Sequence, residues 1–435
     1  MSAASAGSVE QTEVVVIGGG IVGVTMALFL ARAGVPVILC EKGRVACEQS
    51  SRNWGWIRKQ GRDPRELPLI LHGFDLWNRL VRELDIDIGW HVGGVAYLAT
   101  DEARMAGFAR WLVHARAHGL DSRLLTSVET DALLGRDDGR FVGALVTPSD
   151  ARAEPGLAVP AMARLARREG AVIHERRAVR TIERRAGRST GVITETGRIA
   201  CNAVVLAGGA WSRVLLRHLG LDLPQQQVKA SVLRTAPAPA ITEGAIGAPA
   251  AAIRRRKDGG YTIARGGSGT FDVTPTALRD LPLFRRALRL EAATMRFRLG
   301  RAFFDDLRPA RWDDDRESPF ERTRVLDPPP DRALLEEVLE AAVDLHPRLA
   351  GVRSVGSWAG MIDVLPDTLP VIDTLGGLPG LVVATGFSGH GFGTGPAAGH
   401  AAAALVTGRE PEVDLRPFTF ARFADGSAIV PYAWS

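Results

Sequence analysis

Two glycine-rich turns, one near each end of the chain, each follow an unbroken run of apolar residues. The first run, Val14–Ile17, leads through residues 18–20 into a stretch with helical spacing at residues 21–33. A short continuous apolar run predicts a strand buried on both faces, and a glycine such as Gly34 commonly ends a helix. Residues 35–40 then predict a second strand, which completes a βαβ unit with the usual right-handed crossover.

The second glycine-rich turn repeats this strand-to-turn pattern near the carboxyl end. An apolar run at residues 381–385 leads into Gly-Phe-Ser-Gly-His-Gly-Phe-Gly at residues 386–393. Residues 308–331, rich in Pro, Asp and Arg, predict an irregular surface connection. Further strands are predicted at residues 90–99, 171–174, 179–183, 191–195, 203–206, 228–233 and 261–264, and further helices at residues 67–84, 159–168 and 334–345.

Composition narrows the class of protein. The length of 435 residues, with 46% hydrophobic and 24% charged residues, is typical of a globular protein with two or three compact units. The net charge of +5 comes from scattered arginines without interleaved aromatics, so no nucleic-acid partner is expected. Cys40, Cys47 and Cys201 are too few and too irregularly spaced for a disulfide framework or a metal site. Without a signal-peptide pattern or a membrane span, we expect a cytoplasmic protein.

The first turn has the spacing of a dinucleotide-binding fingerprint. Gly18, Gly20 and Gly23 fit G-x-G-x-x-G, in which the glycines allow a tight turn, close approach to a pyrophosphate and close helix–strand packing. The amino end of the following helix favours phosphate. Glu41, directly after the second strand, can accept hydrogen bonds from a ribose, and its charge would repel a 2′-phosphate. These features predict FAD or NAD rather than NADP.

Residues 48–61 form a second informative segment, in which small polar residues, an amide, tryptophans and arginines lie side by side. Such a loop can donate hydrogen bonds to phosphate and flavin oxygens while its aromatics shield one face of the ring. The alternative is a solvated loop in which Trp54 and Trp56 fill the core.

The chain resembles the D-amino-acid oxidase superfamily of flavoenzymes, above all its glycine oxidase and monomeric sarcosine oxidase branch. The residues 58–62, Arg-Lys-Gln-Gly-Arg, also resemble those of some bacterial L-amino acid oxidases on this fold. Five ordered motifs carry the resemblance, namely the fingerprint with Glu41, residues 50–53, residues 204–212, Trp358-Ala359-Gly360 with residues 366–372, and residues 386–392.

The resemblance implies an α/β protein with a Rossmann-like, glutathione-reductase-like FAD-binding domain and an antiparallel-sheet substrate domain. We expect the FAD-binding domain at residues 12–88, 150–222 and 355–420, the substrate domain at residues 89–149 and 223–354, and a flexible start at residues 1–11. The implied cofactor-binding residues are Gly18, Gly20, Ile21, Val22, Gly23, Glu41, Lys42, Ser50, Ser51, Arg52, Asn53, Trp54, Gly55, Trp56, Val179, Ala207, Gly208, Trp211, Gly360, Gly389, His390, Gly391, Phe392, Gly393 and Thr394.

The implied reaction is oxidation of an amino acid C–N bond, with a hydride passing to flavin N5 and electrons to oxygen, giving hydrogen peroxide. One alternative is a secondary-amine or N-methyl amino acid dehydrogenase or demethylase that passes electrons to a quinone or a protein. Another is a non-catalytic flavin-binding subunit. FAD is expected to be non-covalent, because the positions that carry a flavin-linking Cys or His in the family do not carry one here. A homodimer is left open.

The substrate site requires a cation for the carboxylate and an apolar wall for the side chain. A guanidinium suits bidentate carboxylate binding, so Arg58 is the leading candidate and Arg324 the second. Gln60, Trp358 and His390 complete the predicted catalytic set. For His390 the alternative is a residue at a helix start that bonds the backbone.

Two positions depart from the family pattern. Sarcosine oxidases carry a lysine for the substrate carboxylate directly after Gly-His-Gly-Phe, where this chain has Gly393. Oxygen-reactive members carry a lysine in the strand that resembles residues 262–265, where only Ala264 and Arg265 stand at the matching place. Carboxylate recognition is therefore expected to differ from that of sarcosine oxidases, or the substrate itself to differ. Reaction with oxygen is less firmly implied than oxidation of the substrate.

Overall fold

The computed structural model describes residues 10–307 and 311–433, so predictions for residues 1–9 and 308–310 lie outside the described residues. The strands, numbered in chain order, are β1 Glu10–Gln11, β2 Val14–Ile17, β3 Val37–Cys40, β4 Trp56–Ile57, β5 His91–Val92, β6 Val95–Ala99, β7 Arg123–Thr126, β8 Gly143–Thr147, β9 Ala151–Arg152, β10 Val172–His174, β11 Val179–Arg185, β12 Arg188–Thr194, β13 Gly197–Ala200, β14 Ala203–Leu206, β15 Gln226–Thr235, β16 Ala245–Gly247, β17 Ala252–Arg255, β18 Tyr261–Ala264, β19 Gly269–Asp272, β20 Met295–Arg298, β21 Ser354–Val364, β22 Val371–Thr374 and β23 Leu381–Thr385.

The helices are numbered in the same way, and short 3₁₀ turns join some of them. The α-helices are α1 Ile21–Arg32, α2 Gln49–Arg52, α3 Leu67–Leu80, α4 Glu102–Ala117, α5 Ser127–Leu134, α6 Pro155–Arg168, α7 Ser212–His218, α8 Pro275–Glu291, α9 Arg301–Asp306, α10 Pro319–Arg322, α11 Arg332–Leu345 and α12 Gly391–Val406. The 3₁₀ turns are Gly209–Trp211, Ala292–Thr294, Pro347–Leu349, Arg416–Phe418 and Ala421–Phe423.

A six-stranded sheet in the order β10-β3-β2-β14-β23-β22 forms the Rossmann-like part. Its strands are parallel except for β22, which pairs antiparallel with β23. The central strand β2 is almost completely buried because α1, α12 and α6 cover one face of the sheet and a second apolar cluster covers the other. Both glycine-rich turns follow strands of this one sheet, so they lie at the same edge, where ligands bind in open α/β sheets.

A ten-stranded, mainly antiparallel sheet forms the second large layer, in the order β20-β19-β15-β18-β17-β16-β6-β8-β7, with β21 paired to β15. The β15–β21 ladder runs from Gln226–Val364 to Thr235–Ser354 and is the longest pairing in the described residues. This arrangement confirms the predicted fold class of a Rossmann-like unit with an antiparallel sheet. The domain boundaries stay a prediction.

Two small sheets complete the fold. Strands β11, β12, β13 and β1 form one of them, so residues 10–11 are a paired strand and not part of a flexible start. Strands β4, β9 and β5 form the other. Pairing of Trp56 with Arg152 in that sheet fixes the backbone immediately before Arg58.

Several predicted elements differ in extent from those observed. The strand predicted at residues 90–99 is divided by Gly93 and Gly94, the latter with φ 75°, into β5 and β6. The predicted helix at residues 159–168 begins earlier, at Pro155, and residues 311–331 include the short helix α10. Helices α4 and α8 were not predicted; in α8, Thr276, Asp280 and Phe284 are buried, so only one apolar side chain of this helix is buried. Within the described ranges, no helix combines the length and apolar character needed to cross a bilayer.

Candidate functional site

A cavity of about 790 Å³ extends along the edge where the two glycine-rich turns meet the ten-stranded sheet. At one end it is lined by the turn between β2 and α1, and at the other by β15, β21 and the turn before α12. The predicted residues that line it are Gly18, Gly20, Ile21, Val22, Glu41, Lys42, Ser50, Arg52, Asn53, Trp54, Trp56, Arg58, Val179, Gly208, Trp211, Gly360, Gly389, His390, Gly391 and Phe392. Their contacts with a cofactor stay a prediction.

The fingerprint glycines occupy the positions that their predicted roles require. Gly18 has φ +111°, and a Cβ there would lie 2.4 Å from the Ala207 carbonyl oxygen. A Cβ at Gly23 would lie 2.0 Å from the Gly18 carbonyl oxygen, so the helix start packs directly on the turn. The Ile21 amide at the start of α1 donates to Ser50 Oγ over 2.9 Å. Gly18 and Gly23 thus make this turn tight and closely packed, and its contact with a pyrophosphate stays a prediction.

Glu41 lies at the nucleotide end of the cavity, and its two carboxylate oxygens are held by backbone donors. The Gly19 amide donates to Oε2 and the Gly43 amide to Oε1, each over 2.7 Å. Burial raises the pKa of Glu41, and these two amide bonds act in the opposite direction. Each carboxylate oxygen retains a further lone pair that can accept a ribose hydroxyl.

The short helix α2 and the side chains around it connect the two sheets beside the cavity. Arg52 donates to the Ala359 carbonyl of β21 over 2.8 Å and pairs with Asp327 over 2.6 Å. The Lys42 ammonium lies 2.6 Å from Glu48 and 4.4 Å from the ring centre of Trp211. These contacts fix the segment between the two sheets.

The turn between β23 and α12 forms the other end of the cavity. Ser388 and Gly389 have φ values of 49° and 83°, and a Cβ at Gly389 would meet only Ile362, at 3.8 Å. Asp363 is buried and accepts from the Gly386 amide over 2.9 Å, and burial raises its pKa. The residue before α12, His390, does not cap its first amides with its side chain. The positive end of this helix therefore faces the cavity.

His390 contacts a buried carboxylate and not the backbone, which corrects the alternative interpretation of its side chain. Its Nδ1 lies 2.9 Å from Glu66 Oε2, and Glu66 lies 3.8 Å from Arg62 Nη1. Burial lowers the pKa of His390, with Arg62 acting in the same direction. Burial alone would raise the pKa of Glu66, but the charge of Arg62 and the hydrogen bond with His390 hold it low. An ionised Glu66 only accepts, so we assign the His390 proton to Nδ1.

Arg62 lies beside the position at which this chain departs from the sarcosine oxidase pattern. A Cβ at Gly393 would lie 3.8 Å from Arg62 Nη2. Burial lowers the pKa of Arg62 to about 10, which leaves the guanidinium charged at neutral pH. The guanidinium of Arg62 thus lies next to Gly393, which itself has no side chain. Arg62 belongs to the segment 58–62, but nothing in the sequence of that segment indicates where its side chain points.

The part of the cavity around Arg58 and Tyr97 combines a cation that has no carboxylate partner in the described residues with an aromatic wall. The Arg58 guanidinium lies 5.5 Å from the ring centre of Tyr97 and donates to the Gln60 carbonyl. No carboxylate of the described residues forms a salt bridge with Arg58. The Trp56 ring contacts the rings of Trp54 and Tyr97 edge to face, with ring centres 5.6 and 5.8 Å apart. This part of the cavity can bind a carboxylate beside an apolar group.

Three predicted catalytic residues do not line the cavity. Arg324 pairs with Glu195 and donates to the Lys42 carbonyl, which corrects its prediction as a carboxylate partner. Gln60 is fully buried and donates to the Leu145 carbonyl over 2.6 Å. The Trp358 indole donates to the Arg52 carbonyl over 2.8 Å. The side chains of all three therefore bond to other parts of the chain.

Six predicted cofactor residues do not line the cavity, and their contacts with a cofactor stay a prediction: Gly23, Ser51, Gly55, Ala207, Gly393 and Thr394. Gly55, with φ +78°, packs against the Ala153 carbonyl, where a Cβ would come within 2.4 Å. The Thr394 hydroxyl donates to the His390 carbonyl over 3.1 Å. Other residues line the cavity without having been predicted, among them Arg62, Tyr97, Arg104, Arg265, Asp363 and Tyr432. They come from distant segments, which local motifs do not connect.

We expect Glu66→Ala to destabilise the protein by about 3–5 kcal/mol, because it leaves Arg62 as a buried cation without its nearest carboxylate. Urea unfolding followed by circular dichroism measures the change. The matched control is Asp85→Ala, which removes an exposed carboxylate from Arg164 at 2.8 Å and should leave the midpoint nearly unchanged. Equal midpoints for the two variants would contradict this account of the buried group.

Comparison with known proteins gives one consistent result. The model of the family described as DAO, FAD dependent oxidoreductase, matches residues 13–405. Glycine oxidase of Pseudomonas aeruginosa is 28% identical, with 93% of this chain and 97% of the relative covered. L-amino acid deaminase of Proteus myxofaciens, solved in complex with anthranilate, superposes with a TM-score of 0.92 at 29% identity, covering 98% and 96% of the two chains.

A second solved structure agrees with the first. L-amino acid deaminase from Proteus vulgaris has a TM-score of 0.90 at 26% identity, covering 97% of this chain and all of that one. The cofactor is FAD, and the protein is an oxidoreductase that acts on amine donors. Since the family model extends over both glycine-rich turns and the strands between them, the chain belongs to the DAO family of FAD-dependent oxidoreductases.

Proposed function

We propose that the protein catalyses oxidative deamination of an amino acid to an imino acid, which water hydrolyses to a 2-keto acid and ammonia. The observation that carries this proposal is Arg58, a cavity-lining cation without a carboxylate partner in the described residues, beside an aromatic wall. An arginine so placed can bind a substrate carboxylate in bidentate fashion. The resemblance to glycine oxidases and L-amino acid deaminases supports the same substrate class.

The residues of the chain would act mainly by positioning the substrate. A bound FAD would supply the hydride acceptor for oxidation of the substrate C–N bond, and the amine would release the accompanying proton. Arg58 would hold the carboxylate, and Trp54, Trp56 and Tyr97 would exclude water around the side chain. No strong base is required if the amine arrives neutral. Fixing the substrate in this way makes the transfer effectively unimolecular.

The turn before α12 would contribute electrostatic stabilisation. The amino end of α12 presents amides and a positive dipole end to the cavity, which favours negative charge developing there. Arg62 adds a second, buried positive charge, and Glu66 holds His390 in one tautomer. We propose that these groups favour the reduced cofactor and position His390 without making it a general base.

Transfer of electrons to oxygen, giving hydrogen peroxide, is the first candidate for the second half of the reaction. A quinone or protein acceptor is the second candidate, and one observation favours it. Of the four lysines, Lys42 alone lines the cavity, and it lies at the nucleotide end, paired with Glu48. The lysine that oxygen-reactive relatives carry near the ring therefore has no counterpart among the described cavity residues.

Anaerobic mixing with a panel of D-, L- and N-methyl amino acids tests the proposal. We expect the yellow flavin absorbance to be bleached by primary amino acids of one chirality. Bleaching by N-methyl amino acids only would favour the secondary-amine dehydrogenase, and no bleaching by any member would favour a non-catalytic subunit. Readmitting air then separates the acceptors, since an oxidase recovers its colour rapidly and forms peroxide.

A further inference from the structure

A cluster of two histidines and one glutamate lies outside the cavity, on the surface where α3 and α12 pack together. His72 on α3 and His400 on α12 face each other, with His72 Nε2 3.1 Å from His400 Nδ1. Glu412, in the segment after α12, places its Oε2 3.3 Å from His72 Nδ1. One ligand atom from each of the three residues can be chosen so that all lie within 4.8 Å of one another.

The packing of the two helices fixes the separation of the two imidazoles. The indole of Trp77 donates to the Gly393 carbonyl over 3.1 Å, and Gly73 lies directly against the same carbonyl, so α3 and α12 are in close contact. The ring of Phe29 meets the His400 ring edge to face, with centres 4.9 Å apart. The two imidazoles are therefore held by core packing and not by chance on a loop.

The separation suits two ligands of one metal ion. Zinc–nitrogen bonds of about 2.0–2.1 Å in tetrahedral geometry place two ligand nitrogens roughly 3.3 Å apart. The observed 3.1 Å is close to this value. The contact of Glu412 with the other His72 nitrogen is the arrangement by which carboxylates commonly orient a metal-binding histidine.

The types of ligand in the cluster indicate which ion it suits, and the charges around it are of both signs. Glu412 and Asp75 contribute negative charge near His72, whereas Arg79 and Arg409 contribute positive charge near the histidines. The available ligands, two imidazoles and a single carboxylate, disfavour Ca²⁺ and Mg²⁺, which require several oxygen ligands. Two imidazoles with a carboxylate suit Zn²⁺ or Cu²⁺.

We propose that His72 and His400, supported by Glu412, bind one divalent transition-metal ion of the Zn²⁺ or Cu²⁺ type per chain. The ion joins α3, α12 and the segment that follows α12. His400 stands nine positions after Gly391, about 14 Å along the helix at 1.5 Å per residue. The site is therefore a clamp behind the cofactor-binding helix and takes no part in the reaction.

Metal analysis of the tag-free holoenzyme tests this proposal. The protein is equilibrated with ZnCl₂, freed of unbound ion by gel filtration, and analysed for zinc per flavin. We expect one zinc per chain in the wild type, no retained zinc in His72→Ala or His400→Ala, and binding weakened about 10-fold in Glu412→Gln. His118→Ala, which alters an exposed histidine elsewhere, is the matched control and should retain the ion.

Two further measurements separate loss of the metal site from loss of folding. Cu²⁺ electron paramagnetic resonance should show coupling to two nitrogens in the wild type and lose it in the histidine variants. Flavin absorbance of each variant verifies that it is folded and loaded. Zinc retained equally by His72→Ala and wild type, or none retained by wild type, would overturn the proposal while leaving the proposed oxidation untouched.

Discussion

Gly18→Ala should yield a protein that is purified without its yellow colour. The alanine Cβ would lie 2.4 Å from the Ala207 carbonyl oxygen, which is too close for any side chain, and the obstructing atom is backbone. The backbone at position 18 also has φ +111°, which side-chain-bearing residues rarely adopt. The turn must therefore move, and the amides that would bind the pyrophosphate move with it. Flavin absorbance per chain measures the loss, which we expect to be nearly complete.

Gly34→Ala is the matched control for this substitution. Gly34 also has a positive φ, +73°, but a Cβ there meets nothing within 4 Å. This variant carries a backbone cost of the same kind, of order 1 kcal/mol, without the clash. It should fold and retain FAD. If both variants lose the flavin, the cause is general destabilisation and not the phosphate turn; if neither does, the fingerprint assignment is wrong.

Arg58→Ala should raise KM for carboxylate-bearing substrates by about 30- to 1000-fold, which corresponds to about 2–4 kcal/mol of lost charge pairing. The guanidinium has no salt-bridge partner in the described residues, so its removal leaves no buried carboxylate unpaired. We therefore expect flavin content and thermal stability to change little. Steady-state kinetics with the best substrate of the amino acid panel measures the effect.

Arg58→Lys and Arg324→Ala separate the possible causes. Lysine retains the charge but not the planar pair of donors, so an intermediate KM is expected. Arg324→Ala removes an arginine that pairs with Glu195 outside the cavity and should leave KM unchanged. An unchanged KM for Arg58→Ala, or an equal increase for Arg324→Ala, would remove Arg58 from the proposed site.

The parts of the fold that could be predicted are those whose signals are local. The run Val14–Ile17 with its glycines, and the run before residues 386–393, were identified correctly because apolar strands followed by glycine turns are short-range patterns. Helix α8 was missed because Phe284 is its only buried apolar side chain, and the break at Gly93 and Gly94 was missed because the flanking residues both favour strands.

Local motifs also explain why the residues predicted around the first glycine-rich turn line the cavity together. Residues of one turn, such as Gly18 and Gly20, reach the cavity together. Elsewhere in the cavity, Arg58 contacts Tyr97, and Arg265 and Tyr432 come from far along the chain, so only the tertiary structure brings these residues to one cavity. The direction in which each side chain points could not be predicted from the sequence either. Arg58 faces the cavity, whereas Gln60, two residues later, is buried against Leu145.

The central claim is that this flavoprotein oxidises an amine that it holds by a carboxylate, and one measurement tests it most directly. Anaerobic stopped-flow mixing compares flavin reduction by the best amino acid with reduction by the amine that lacks only the carboxylate. We predict reduction by the amine to be at least about 30-fold less efficient in wild type, and equally inefficient for both compounds in Arg58→Ala. Equal efficiencies for the two compounds in wild type would contradict the account.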